Sequence, residues 1–118
     1  MTLTLREAAR ILEAEVLGGE QCLDETFESC AASDLMSDLL AFARPGTLLL
    51  TGLATNQTVR TARIIEASGI VYVRSRRPTN EGIALARQVG LPILTTSLSM
   101  YAACCRLCGR GIPGVEGR

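Results

Sequence analysis

The sequence predicts an α/β fold: a mostly parallel sheet with helices on both faces, in three layers (α/β/α). Three observations predict it. Short apolar runs alternate with helical patterns, the connecting loops are short, and only 3% of the residues are aromatic. Strand–helix–strand repeats with short connections are typical of parallel sheets with right-handed crossovers. The 118 residues suffice for one core, which has to be built from aliphatic side chains.

The first part of the chain begins with a helix. Thr4-Leu5-Arg6-Glu7 has the form of a capping box, and Leu5, Ala8 and Leu12 recur at helical spacing, so a helix is predicted over residues 4–13. The other predicted elements of this part are a brief strand at 15–17, a strand at 26–32, and a helix at 34–43 capped by Ser33 and ended by Arg44-Pro45-Gly46.

The second part alternates three buried strands with helices. A continuous apolar run such as Thr47–Thr51 is typical of a strand covered on both faces. Glycines after apolar periodic segments indicate helix ends. In chain order the predicted elements are a strand at 47–51, a helix at 58–68 closed by Gly69, a strand at 70–74, a helix at 79–89 between Thr79 and Gly90, a strand at 92–95 and a helix at 97–108. Residues 1–108 are predicted to form one domain, and the glycine-rich residues 109–118 a flexible tail.

The composition excludes much of enzyme chemistry. The sequence has no His, so Ser–His and Cys–His catalysis are excluded, and no Lys, which excludes a P-loop lysine or a Schiff base. An enzyme would have to use Cys, Ser or Thr without a His base. We therefore expect no enzymatic activity and no cofactor. The scarcity of aromatic side chains to stack on bases disfavours nucleic acid as a partner.

The five cysteines include one CxxC pair, Cys105 and Cys108, beside Cys104. A metal or cluster site usually needs four ligands, and Cys22 and Cys30 would complete one only if the fold brought them close. Packing as small apolar side chains is the favoured interpretation, and metal binding and redox chemistry are the alternatives.

With no secretory segment, an odd number of cysteines argues against a disulfide framework, and we expect a cytoplasmic protein with no membrane segment.

The zero net charge conceals an asymmetry between the two parts of the chain. Residues 1–43 contain nine acidic residues and two Arg, and residues 44–118 contain ten Arg and three acidic residues. Two interpretations remain open. The parts attract each other within the fold or across a dimer, or the second part contains an anion site.

Three polar loops are predicted at the carboxyl edge of the sheet, where ligands of open parallel sheets bind at a reversal of strand order. Each loop leads into a helix N-terminus, whose free N–H groups attract anions, and arginine adds bidentate recognition of phosphate. Thr, Asn and Ser also cap helices structurally, which is the alternative role. The candidate anion-binding residues are Gly52, Asn56, Arg74, Arg76, Arg77, Thr79, Asn80, Thr95, Thr96 and Ser97.

The span from about Leu3 to Leu107 resembles the DRTGG domain. The similarity is strongest over 70–96, with Pro78 four residues after the strand, Ala86 in the helix and the run Gly90-Leu91-Pro92-Ile93. Residues 31–39 and 47–52 also match. The family's Thr-Gly-Gly corresponds here to Arg74-Ser75-Arg76. Its Asp-Arg falls near Leu53-Ala54, and its Asp-Thr falls at Ser99-Met100. At these positions the chain therefore lacks the family's acidic residues and gains positively charged ones.

The resemblance implies a fold similar to the N-terminal domain of HPr kinase and a non-catalytic, dimerising, nucleotide-sensing role. Such domains occur in regulatory regions of CBS-containing pyrophosphatases, beside phosphotransacetylase domains, and as stand-alone bacterial copies, some near hydrogenase genes. We therefore expect a homodimeric regulatory module that binds a nucleotide or another phosphate-bearing anion. The alternative is a ligand-free interaction module, an accessory subunit of a larger complex such as a redox or hydrogenase-related one.

Overall fold

The computed structural model of the chain describes residues 1–115. Seven strands and five helices lie within this range, with one 3₁₀ turn at Glu20–Cys22. The strands are β1 (Leu3–Thr4), β2 (Glu15–Gly18), β3 (Thr26–Phe27), β4 (Cys30–Ala32), β5 (Leu48–Thr51), β6 (Gly69–Tyr72) and β7 (Ile93–Thr95). The helices are α1 (Leu5–Ile11), α2 (Met36–Phe42), α3 (Asn56–Ile64), α4 (Asn80–Val89) and α5 (Met100–Cys108).

The main sheet has five strands in the order β2-β7-β6-β5-β4. Strands β4 to β7 are parallel and lie side by side in chain order, and β2 runs antiparallel to β7 at one edge. Strands β1 and β3 form a separate antiparallel pair. The predicted α/β class with a mostly parallel sheet is confirmed. The strand order does not reverse between β4 and β7, however, so the loops after β5, β6 and β7 do not flank such a reversal.

Helices cover both faces of the sheet, which completes the three layers. On one face, α1 and α5 pack on the sheet through apolar side chains such as Ala8, Ala103 and Leu107. On the other face lie α2, α3 and α4, whose buried side chains include Leu39 and Ala62. The apolar run of β5 is fully buried because its side chains alternate between these two cores, which is why the strand shows no polar alternation.

Local capping signals place several elements where the sequence predicted them. The Thr4 hydroxyl accepts a hydrogen bond from the Glu7 N–H, and the Glu7 carboxylate accepts one from the Thr4 N–H at 2.9 Å, so α1 begins with the predicted capping box. The Thr79 hydroxyl accepts a hydrogen bond from the Gly82 N–H and so caps α4, and Gly90 ends this helix in the left-handed conformation with φ of 73°.

Several predicted elements have different bounds. The helix predicted at 97–108 begins at Met100, after the cap residue Ser99. The strand predicted at 26–32 is two strands, because Phe27 pairs with Leu3 in the small sheet while Cys30–Ala32 joins the main one. Helix α2 begins at Met36, since the Ser33 hydroxyl accepts a hydrogen bond from the Leu35 N–H in a turn before the helix.

Helix α3 starts and ends earlier than predicted. Its C-terminal residue is Ile64, and the chain leaves the helix through Glu66 in a left-handed conformation with φ of 56°. Gly69 is the first residue of β6 and not a helix cap. A β-carbon at this position would lie 3.1 Å from the Pro92 carbonyl oxygen, so close packing explains the glycine there.

Residues 109–115, the first seven of the tail predicted at 109–118, pack against the domain. Ile112 is only 2% exposed in the core beneath α1 and α5. The Cys30 N–H donates to the Pro113 carbonyl at 3.0 Å and the Val115 N–H donates to the Cys30 carbonyl at 2.8 Å, so the segment runs parallel to β4 along its outer edge. Residues 116–118 of the predicted tail lie outside the described residues.

Candidate functional site

Three loops follow β5, β6 and β7 at the carboxyl edge of the sheet, and we call residues 52–55, 73–79 and 96–99 the rim. Hydrogen bonds connect the loops to one another. The Arg74 and Ser75 N–H groups donate to the carbonyls of Leu98 and Thr96, at 2.8 and 2.7 Å. Asn56, at the start of α3, donates through its side chain to Glu81 in the first turn of α4, at 2.8 Å. The rim is therefore continuous across the three strands.

The loop after β6 has a constrained backbone. Arg74 and Ser75 both have positive φ, 57° and 58°, in the left-handed region that non-glycine residues seldom adopt. The two hydrogen bonds to residues 96 and 98 hold this conformation. Strained backbone of this kind is concentrated at functional sites.

The three arginines of this loop are exposed but differ in their partners. Arg77 makes a bidentate ion pair with Glu15 of β2, with N···O distances of 3.0 and 2.9 Å. These hydrogen bonds raise the pKa of Arg77 and lower that of Glu15. The side chains of Arg74 and Arg76 make no hydrogen bond or ion pair with any residue in the described range. Two guanidinium groups on one short loop thus face solvent unpaired.

The threonines after β7 are tied to backbone carbonyls. Thr95 is 5% exposed and its hydroxyl donates to the Arg76 carbonyl at 2.6 Å. Thr96 is 2% exposed and its hydroxyl donates to the Leu12 carbonyl at 2.7 Å. The hydroxyls therefore fix the loop that carries Arg76 and the end of α1. Ser97, the next residue, is exposed.

The candidate residues nearer β5 are also engaged in local contacts. The Gly52 N–H donates to the Asp34 carboxylate at 2.6 Å, and the Thr51 hydroxyl donates to the same oxygen at 3.2 Å. The Thr79 hydroxyl accepts from the Gly82 N–H at the start of α4. Asn80, the first residue of α4, is exposed.

Sequence patterns do not identify two carboxylates that bind the rim. The helix predicted at 34–43 places Asp34 in its first turn, but Asp34 lies before α2 and binds the loop after β5. Glu15 was only placed at the start of a brief strand. Its pairing with Arg77 depends on β2 lying antiparallel beside β7, with Glu15 opposite Thr95. The residues of a lone four-residue strand do not indicate which strand lies beside it. The opposite charges of the two parts of the chain are the one sequence feature that agrees with this pairing.

The charge asymmetry of the chain is partly neutralised within the fold. Within residues 1–115 there are three ion pairs, and two of them, Glu15–Arg77 and Glu13–Arg106, join the acidic first part to the arginine-rich second part. The third, Arg6–Asp24, lies within the first part. Attraction between the two parts within the fold, which was one of the two interpretations, is therefore present. The arginines of the rim that have no partner within residues 1–115 are present as well.

All five cysteines are free thiols. Cys22 donates to the Gly90 carbonyl at 3.7 Å, whereas Cys30 lies buried in the core against α5. Burial raises the pKa of Cys30 to about 11, with smaller contributions from Cys104 and Cys108. Among the residues that the structure describes, no group of three or more metal-ligating side chains is arranged to hold a metal ion.

A cavity of about 620 Å³ opens at the opposite, amino-terminal edge of the sheet. It lies between the first residues of the chain, the segment before β4, the turn before β5 and residues 111–113. Its charged lining residues are Glu28 and Arg44.

No helix within residues 1–115 is both long and apolar enough to span a bilayer.

The fold is shared with a regulatory region of known structure. A crystal structure of the CBS and DRTGG domains of the regulatory region of Clostridium perfringens pyrophosphatase, complexed with the activator diadenosine tetraphosphate, superposes with a TM-score of 0.73 at 16% sequence identity. The match covers 88% of this chain and 45% of that one, so this chain spans less than half the length of its structural relative. No protein-family model matches the sequence, and no curated protein matches it. The chain therefore shares its fold with part of that structure.

Proposed function

We propose that this protein is a DRTGG-like, non-catalytic regulatory module that senses a nucleotide or another phosphate-bearing anion at the rim. The observation that carries the proposal is the pair of unpaired guanidinium groups of Arg74 and Arg76 on a loop held in a strained conformation. Arginine recognises phosphate oxygens through two parallel hydrogen bonds. The structural relative was solved with a polyphosphate dinucleotide as its activator, which is compatible with this class of ligand.

Each candidate residue has a role in this proposal. Arg74, Arg76 and Arg77 contact the phosphate groups, and exposed Asn80 and Ser97 donate hydrogen bonds to the same ligand. The other candidates position the site: Thr95 and Thr96 hold the loops, Thr79 caps α4, and Gly52 and Asn56 connect the loop after β5 to its neighbours.

The chemistry of the residues present supports a regulatory role. The chain has neither His nor Lys, and the rim offers guanidinium groups, hydroxyls and amides, which bind anions. The two carboxylates beside it, Glu15 and Asp34, already bind Arg77 and the Gly52 N–H. The five free thiols suit a reducing compartment such as the cytoplasm.

The test is a binding titration with diadenosine tetraphosphate, ATP and pyrophosphate, followed by calorimetry and by thermal shift. A ligand at one hundred times its Kd stabilises a protein by about 2.7 kcal/mol, which is several degrees in Tm for a domain of this size. We expect Arg74→Ala/Arg76→Ala to weaken binding at least tenfold.

The matched control is Arg60→Ala/Arg63→Ala, which removes the same charge from the exposed face of α3. We expect it to change the Kd less than twofold. Absence of binding by the unaltered protein, or an equal loss in both variants, would refute the rim as the sensor site.

Dimerisation and a ligand-free interaction role form the second candidate, favoured by exposed apolar side chains. Leu35 and Leu40 are 57% and 47% exposed, and Phe42 is 38% exposed at the end of α2. Ile64, at the end of the neighbouring α3, is 71% exposed. A small domain that leaves such side chains in water gains from burying them against a second copy or another protein.

Light scattering of the unaltered protein should give the mass of a dimer, and Leu40→Gln/Ile64→Gln should reduce it to the mass of a monomer. A monomeric unaltered protein would exclude the homodimer.

A further inference from the structure

Arg77 already holds an anion in this structure, the carboxylate of Glu15. The two guanidinium nitrogens donate to the two carboxylate oxygens at 3.0 and 2.9 Å, which is the geometry in which arginine binds a ligand carboxylate or phosphate. The pair is open to water, because the side chains of Arg77 and Glu15 are 50% and 61% exposed. A dissolved anion can therefore reach Arg77 and compete for it.

The sheet register explains why Glu15 reaches the rim. Glu15 is the first residue of β2 and lies directly opposite Thr95, the last residue of β7. The Thr95 hydroxyl holds the Arg76 carbonyl, so the backbone beside Arg77 is fixed next to the start of β2. Strand β2, which runs antiparallel to β7, therefore places Glu15 beside the loop.

We propose that Glu15 is a specificity-determining residue of the rim, an internal carboxylate that a ligand must displace from Arg77. This inference rests on the proposed function. A ligand carboxylate gains little at Arg77, since it replaces one carboxylate by another. A phosphoryl group carries more charge and more acceptor oxygens, so it gains more from the same exchange. Glu15 therefore favours phosphate-bearing ligands over monocarboxylates.

Asp34, a second carboxylate that binds a rim loop, has a different role. Its oxygen accepts from the Gly52 N–H at 2.6 Å and from the Thr51 hydroxyl, so it satisfies backbone and side-chain donors that need a partner in the fold. Among residues 1–115, the Glu15 carboxylate accepts side-chain hydrogen bonds from one guanidinium group, which a ligand can satisfy equally well. Displacement is therefore assigned to Glu15 alone.

The experiment compares Glu15→Gln with Glu13→Gln by calorimetric titration with pyrophosphate. Glu13 is the matched control, because it also pairs with an arginine, Arg106, at 3.0 Å in an exposed ion pair. We expect Glu15→Gln to tighten binding roughly two- to fivefold, the range of an exposed ion pair, and Glu13→Gln to change it less. In the Arg77→Ala background, Glu15→Gln should give no gain.

The outcomes separate this inference from the function on which it rests. If pyrophosphate binds and binding depends on Arg74 and Arg76, but Glu15→Gln leaves the Kd unchanged, the displacement inference is overturned and the sensor function stands. A gain that persists with Arg77→Ala, or an equal gain with Glu13→Gln, also overturns it, because general charge would then be the cause. If pyrophosphate, ATP and diadenosine tetraphosphate bind neither the unaltered protein nor Glu15→Gln, the sensor function itself fails.

Discussion

Tyr72 is fully buried at the end of β6, and its hydroxyl has no hydrogen-bond partner within residues 1–115. A buried polar group without a partner loses its hydration and gains nothing in return. We expect Tyr72→Phe to leave the free energy of unfolding unchanged or raise it by about 1 kcal/mol. Urea unfolding at pH 7 measures this. A loss of more than about 1 kcal/mol would show that the hydroxyl has a partner.

The same burial predicts a loss of stability at high pH. Burial raises the pKa of Tyr72 from 10.0 to about 12. Between these values the unfolded chain releases the proton and the folded chain keeps it, so stability falls as pH rises, by about 1.4 kcal/mol per pH unit. The comparison is with Tyr72→Phe, which still contains Cys30 but lacks this phenol. Parallel stability curves of the two proteins from pH 9 to 12 would contradict the assignment.

At the scale of elements, a residue in the left-handed conformation follows each of two helices, and it is a glycine in one case and a glutamate in the other. Gly90 ends α4 with φ of 73° and has open space around its missing β-carbon, so Gly90→Ala should destabilise by about 1 kcal/mol through backbone conformation alone. Glu66 adopts φ of 56° after α3 without being glycine. Glu66→Gly should therefore stabilise, or cost nothing. Thermal unfolding measures both; an unchanged Tm for Gly90→Ala would refute the argument.

The elements that the sequence predicted well have signals within a few residues. The Thr4–Glu7 capping box and the Thr79–Gly90 bounds of α4 are local chemistry, and both are present. The errors concern residues whose role is set by distant partners. Gly69 follows a helical pattern, yet its need for glycine comes from Pro92 across the sheet.

The candidate site follows the same division. The loops after β5, β6 and β7 could be placed at one edge because parallel strands share a direction. Which side chains remain free could not be predicted, because Thr95 and Arg77 are engaged by Arg76 and Glu15 through tertiary contacts. Asp34 needed the position of the loop after β5. Residue type alone distinguishes none of these from a ligand-facing residue.

At the scale of the whole molecule, residues 109–115 close the outer edge of β4 and fill part of the core. Ile112 is 2% exposed, so Ile112→Ala should cost about 2–4 kcal/mol of unfolding free energy. Arg110→Ala, at an exposed neighbour, should change it by less than about 0.5 kcal/mol. Urea unfolding measures both. Equal effects would mean that Ile112 does not contribute to the core.

The contact between Met1 and the chain near Gly111 lies at the amino-terminal edge of the sheet. A β-carbon on Gly111 would lie 3.2 Å from the Met1 side chain, and both residues line the cavity at that edge. A partner that contacts either residue would therefore lie at the edge opposite the rim and would leave the rim open. The two edges are separated by the length of the strands, which for the four residues of β5 is about 13 Å of fully buried backbone.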